Sequence, residues 1–114
     1  MLPKLYRLKR KKDFEKILKE GKRTKFSSLV LIKHKNKLNY SRFGFVVPNK
    51  VSKKATVRNQ IKRRLRSLVW QNFERIQKGI DIILLALPGL ENKTYQELEK
   101  ILGKLFQKGK IIKC

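Results

Sequence analysis

Between Gly79 and Pro88-Gly89 lies Ile-Asp-Ile-Ile-Leu-Leu-Ala-Leu, residues 80–87, apolar at every position except Asp81. A run of this length between turn residues reads as a buried strand, and it falls far short of the roughly 20 residues a bilayer span requires. A buried strand needs other elements to cover it. The remainder of the chain must supply them within 114 residues, a length suited to a single domain over 1–114.

Those elements follow from apolar spacing. Phe14, Ile17 and Leu18 mark a short helix over 12–20, with Gly21 as its terminator. Residues 28–33 and 42–47 read as strands expected to pair antiparallel across the polar stretch Lys35 to Asn39, and Pro48 stops the second. The basic connector 49–57 has room for a very short strand around Val51. Thr56 is a candidate cap for a long helix over 58–77, whose core arc is Ile61, Leu65, Leu68, Val69 and Ile76 and whose end is Gly79. Trp70, near the cationic residues of the same helix, reads as either core or RNA-facing, with the core favoured by the high average burial of tryptophan. A last helix over 94–107 carries Tyr95, Leu98, Ile101, Leu102, Leu105 and Phe106 on one face. The order α-β-β-(β)-α-β-α predicts an α+β sandwich, with a βαβ crossover that is normally right-handed.

Charge then restricts the partner. There are 31 Lys and Arg against 8 Asp and Glu, a formal net charge of +23. Such a field opposes compaction unless a polyanion offsets it. The cations are interleaved with the helices and strands throughout, which favours nucleic acid over a membrane surface or an acidic protein. The basic N-terminus has no apolar core segment or small-residue cleavage site and predicts a cytoplasmic chain. One cysteine, Cys114, and one histidine, His34, cannot furnish a four-ligand zinc site; Cys114 reads as a tail residue and His34 as a surface residue at a strand end.

The densest information is Lys53-Lys54-Ala-Thr-Val-Arg58-Asn59-Gln-Ile-Lys62-Arg63-Arg-Leu-Arg66. At about 100° per residue, Asn59, Lys62, Arg63 and Arg66 share a sector roughly 100° wide beside the apolar arc. One helix thus carries a core stripe and a cationic stripe. Guanidinium groups bind phosphate oxygens bidentately and stack on bases, and Asn59 near the helix start adds a donor and an acceptor.

This run, Arg58-Asn59-X-X-Lys62-Arg63-X-X-Arg66, closely resembles the RNR signature of the bacterial ribonuclease P protein subunit. Leu8-Lys9, Asp13-Phe14, Gly21, Gly44-Phe45-Val46-Val47 and Tyr95 recur in register with that family, so the resemblance covers essentially the whole chain. It implies a protein cofactor of a catalytic RNA that removes the 5′ leader of precursor tRNA, with Mg²⁺ bound mainly by the RNA and no catalytic residue on the protein. It further implies that Lys53, Lys54, Arg58, Asn59, Lys62, Arg63 and Arg66 bind the catalytic RNA. A cleft of Phe14, Leu18, Ile32, Arg58 and Lys62 receives the leader, Leu18 and Ile32 standing where the family often has aromatic residues. Asn59 is a possible ligand of RNA-bound Mg²⁺, no protein partner is required, and the crossover is left-handed, against the general rule.

The carboxylates agree with that division of labour. Two-metal nuclease chemistry needs clustered carboxylates, whereas these eight are scattered from Asp13 to Glu99. An RNA-recognition motif is suggested by Ser41-Arg-Phe-Gly-Phe-Val46, but Arg42 stands where Gly is expected and no strand precedes the first helix. A ribosomal or chaperone RNA-binding protein of similar fold is the open alternative on composition.

Overall fold

The computed structural model describes residues 2–112; Cys114 lies outside the described residues. Its elements are α1 (Lys11–Glu20), β1 (Lys22–Phe26), β2 (Leu29–Lys35), β3 (Arg42–Val46), α2 (Ala55–Gln71), β4 (Ile80–Ala86) and α3 (Tyr95–Lys108). Three single 3-10 turns, Lys4–Tyr6, Phe73–Arg75 and Leu90–Asn92, join them. The four strands form one mixed sheet in the order β1-β2-β4-β3, antiparallel except for the parallel pair β3 and β4.

β4 takes an interior position because it is apolar on both sides. Ile82, Leu84 and Ala86 face α2 and α3 in the main core, while Ile83 faces α1 in a smaller one. This corrects the expected pairing of 28–33 with 42–47. A solvent-facing residue every second position would suit a hairpin edge; β4 has none over Ile82–Leu84, so it inserts between β2 and β3 and hides both faces. The intervening loop is fastened to the entry of β4, with Asn36 N–H donating to the Gly79 carbonyl at 2.9 Å.

The extra strand is likewise elsewhere. Val51 is buried in a turn, its N–H donating to the Pro48 carbonyl at 3.0 Å, and the fourth strand is β1, Lys-Arg-Thr-Lys-Phe. α2 begins at Ala55, and neither Thr56 nor the preceding Lys54 caps it through a side chain. It ends at Gln71 rather than 77, so Ile76 joins the core from a bridge to Ile112, and Gly79 sits in the turn before β4. Gly21 follows α1 as expected but at φ −73°, not in the left-handed region. Its reason is proximity: a Cβ there would lie 2.5 Å from the Ile17 carbonyl oxygen and 2.6 Å from Ile32 Cγ2.

The helices divide between the faces. α3 packs on β1 and β2 and α2 on β3, over Phe43, Leu65, Leu68 and Phe106; α1 lies alone on the other face, against β2 and β4. Among the described residues no helix is long and apolar enough to cross a membrane.

Candidate nucleic-acid interface

The strand register arranges the α1 face in rows, because directly paired residues point the same way. His34, Asp81 and Arg42 form one row; Ile32, Ile83 and Gly44 the next; Val30, Leu85 and Val46 the third. The middle row is roofed by α1, whose Ile17 is 1% exposed. The third row lies beyond the helix, with Leu85 and Val46 half-buried and Lys25 of β1 paired to Val30 at its end. The result is a trough with an apolar floor and α1 as one wall.

Phe14 and Leu18, one helical turn apart on α1, are both half-buried against this smaller core. Phe14 sits on the backbone of β3, where Gly44 leaves it room. Ile32 is fully buried in the middle row beneath α1, so as an expected leader contact it is corrected: it supports the helix and has no surface to meet a ligand. Arg23, which the sequence did not single out, donates from Nη2 to the Leu18 carbonyl at 3.1 Å and sets a cation on the rim.

Charge ties the first turn of α1 to the sheet, beside the apolar seat of Ile17. Asp81, 5% exposed, accepts two hydrogen bonds from Arg42, at 3.0 Å from Nε and 2.7 Å from Nη2, and a third from Asn36 Nδ2 at 2.8 Å. Arg42 also reaches Asp13 of α1 at 3.5 Å. The hydrogen bonds to Asp81 raise the Arg42 pKa, followed by the charges of Asp81 and Asp13, against the opposing effect of burial. His34 has a carboxylate neighbour that its sequence context did not reveal, Glu20 Oε1 at 3.9 Å from Nε2.

The cationic stripe lies on the other side of the sheet. Asn59, Arg63 and Arg66 line one shallow depression on α2 of about 620 Å³. Arg66 rests against β3, its guanidinium carbon 5.9 Å from the centroid of Phe45. Burial, then the charge of nearby Arg7, lowers the Arg66 pKa, so this guanidinium is a cation whose charge is unfavourable where it stands and which a phosphate would relieve. Lys62, one turn before Arg66, is half-buried, and Lys53 and Lys54 are exposed just ahead of the helix. Arg58 is half-buried and donates Nη1 to the Ser52 carbonyl at 2.9 Å, so one of its roles is to fasten the connector.

The carboxylates are dispersed in space as well. Asp81 and Asp13 serve Arg42, Glu97 caps α3, and Glu91 accepts from Gly89 N–H at 2.6 Å. Among the described residues no three His, Cys, Asp or Glu side chains gather at a distance suited to a metal ion.

Comparison with known proteins meets the same architecture. The family model described as Ribonuclease P matches residues 2–110. The chain is 38% identical over 112 residues to the ribonuclease P protein component of Synechocystis, covering 97% of this chain and 90% of that one. The structure of the RNase P protein of Staphylococcus aureus superposes with a TM-score of 0.88 at 28% identity, covering 94% of this chain and 97% of its own. That of Thermotoga maritima superposes with a TM-score of 0.80 at 35% identity, covering 87% and 93%. Agreement over nearly the whole length, in sequence and in fold, decides between the readings that composition left open: this chain belongs to the ribonuclease P protein family.

Proposed function

We propose that the chain holds two RNAs on the two sides of β3, the catalytic RNA on the α2 stripe and the 5′ leader of precursor tRNA in the trough beside α1. As a ribonuclease P protein component it is the protein cofactor in tRNA 5′ maturation, a subunit of an endoribonuclease whose hydrolysis belongs to the RNA. One observation carries the placement: consecutive residues of β3 face opposite surfaces. Gly44 seats Phe14 of the trough, and Phe45 seats Arg66 of the stripe. A strand repeats its facing every two residues, so neighbours on it serve opposite sides.

On this reading Asn59, Arg63, Arg66 and Lys62, with Lys53, Lys54 and Arg58 ahead of them, bind phosphates of the catalytic RNA. Phe14 stacks on a leader base, Leu18 adds apolar contact, and Arg58 and Lys62 are proposed to reach the leader phosphates around the end of β3. Mg²⁺ is proposed to be held mainly by the catalytic RNA, where it would activate water and stabilise the leaving oxygen, a reading in keeping with the scatter of the acidic residues along the sequence. Asn59, exposed near the start of α2, is proposed to lend its carboxamide oxygen to an ion held there. The work is proposed to take place in the cytoplasm.

The test compares cleavage and binding. Precursor tRNA is incubated with protein alone, with the catalytic RNA alone and with both, and protein affinity is measured for holoenzyme complexes of precursor and mature tRNA. Cleavage only where the catalytic RNA is present, with tighter binding of leader-bearing substrate when protein is added, is expected. Cleavage by protein alone, or equal enhancement for both tRNAs, overturns the assignment.

A further inference from the structure

Trp70 is the chain's only tryptophan, and it is 39% exposed rather than in the core. Its position on α2 explains the departure. Arg63, Arg66 and Trp70 are separated by three and four residues, so the ring continues the cationic stripe along the same helix face. It stands at the lip of a groove of about 1190 Å³ between the N-terminal turn, the end of α2 and the loop before β3.

That groove is aromatic. Trp70 is stacked with Tyr6 at 6.3 Å between centroids and 26° between planes. Tyr40 meets Tyr6 edge-on at 5.8 Å, and Phe73 closes the back, 4.4 Å from Tyr6 and 5.2 Å from Trp70. Two of the three tyrosines and the sole tryptophan therefore line one surface depression. Packing the N-terminal turn accounts for Phe73 and Tyr6, which are half-buried. It does not account for leaving the largest ring at the surface beside Leu5, itself 56% exposed.

The charge around the rings selects the occupant. Arg75 and Lys78 line the same groove, with Glu74 as the opposing charge, and Arg7, next to Tyr6 in sequence, is near enough to Arg66 for its charge to be felt there. An acidic or apolar protein segment would use only part of this surface. A nucleotide uses all of it: the base stacks on exposed indole, and its flanking phosphates meet cations on both sides.

We propose that this groove is a third RNA site, in which an unpaired base of the catalytic RNA stacks on Trp70 between Arg66 and Arg75. The proposal rests on the stripe's assignment to the catalytic RNA and extends that interface from phosphate contacts to a base contact.

Because Trp70 is unique, its own emission reports the site. The full-length protein is titrated with the catalytic RNA, and affinity is compared for Trp70→Ala and Trp70→Phe over a range of salt. Quenched emission at saturation is expected, with a loss of roughly tenfold in affinity for Trp70→Ala, most of it restored by Trp70→Phe, because stacking on a ring is sequence-tolerant. The salt slope stays that of the wild type, because every phosphate contact is kept. Unchanged wild-type emission at saturating RNA overturns the site without any variant having to fold. Emission that responds to protein concentration in the absence of RNA overturns it in favour of a second copy of this chain. If emission is silent while reversal of Arg63 and Arg66 still weakens binding, only the third site fails; if the catalytic RNA does not bind at all, the stripe assignment fails with it.

Discussion

Phe14 and Gly44 occupy one another's space: a Cβ added to Gly44 would lie 2.5 Å from Phe14 Cε1 and 2.6 Å from Cζ. The ring of α1 is thus seated on the backbone of β3, and its height above the trough floor is set by a missing side chain. Gly44→Ala is expected to lift Phe14 and cost about 1–3 kcal/mol of stability, as overpacking does. Phe14→Leu keeps apolar bulk but removes the stacking face. It is expected to weaken binding of precursor tRNA to the holoenzyme by about 1–3 kcal/mol while leaving mature tRNA unchanged. Affinities for the two substrates, measured side by side with a urea melt of each variant, check both statements.

A second prediction concerns what keeps α1 in place. Asp81 is buried, and Arg42 joins it to Asp13 on α1. Asp81→Ala leaves Arg42, itself partly exposed, with only the longer contact to Asp13 and takes the acceptor from Asn36, so it is expected to cost about 3 kcal/mol in urea unfolding, the low end for breaking a buried pair. Asp13→Ala breaks a longer and more exposed ion pair and is expected to cost about 0–1 kcal/mol. The informative readout for Asp13→Ala is precursor affinity, because loosening α1 displaces Phe14, its neighbour in sequence. Arg42→Lys should resemble Asp81→Ala more than wild type, since an ammonium cannot make the bidentate contact.

Glu97 provides a pH dependence. In the capping box of α3, Thr94 N–H donates to the Glu97 side chain at 2.9 Å and Glu97 N–H donates to Thr94 Oγ1 at 3.1 Å. The bond from Thr94 N–H, then the Thr94 side chain, holds the Glu97 carboxyl below the ordinary glutamate range. A lowered folded-state pKa contributes stability that is fully present above the unfolded value and is lost as pH falls through the folded one. Thermal midpoints of the wild type should therefore fall more between about pH 5 and pH 3 than those of Glu97→Gln, which keeps an uncharged acceptor at the same place. Parallel curves for the two proteins over that interval would show that the cap is not the titrating element.

The helices could be read from the sequence because each carries an apolar face at helical period, and β4 because it is a nearly unbroken apolar run between turn residues. β1 could not: Lys22, Arg23 and Lys25 give it no apolar alternation, and it is a strand because β2 offers its backbone and Lys108 donates to the Lys25 carbonyl at 3.0 Å. Strand order was hidden for a related reason. Sequence proximity favoured pairing β2 with β3, whereas covering both apolar faces of β4 decided the matter. The cationic stripe was legible because helical spacing is local, but the trough required the row Val30, Leu85 and Val46, drawn from three strands whose order sequence proximity misjudged. For Trp70 two signals opposed each other: the average burial of tryptophan favours the core, whereas helical spacing puts it on the face of Arg63 and Arg66, and spacing decides its exposure.

The stripe makes the last prediction, which separates charge from shape. Arg63 is exposed and Arg66 leans on Phe45, so Arg63→Glu and Arg66→Glu both remove a cation without opening the main core. Each cation withdrawn from a phosphate should lower the slope of log affinity against log salt by about 1, and the double variant should lose more affinity at low salt than at high salt. Arg66→Glu also removes the mutual repulsion with Arg7, so its unfolding midpoint is expected to hold or rise slightly while assembly weakens. That opposition of sign is the useful feature. A residue kept for folding would lose stability and binding together, whereas a cation kept for RNA gives up binding alone. Measuring urea unfolding and catalytic-RNA affinity on the same preparations distinguishes them, and an unchanged salt slope in the double variant would remove the stripe from the interface.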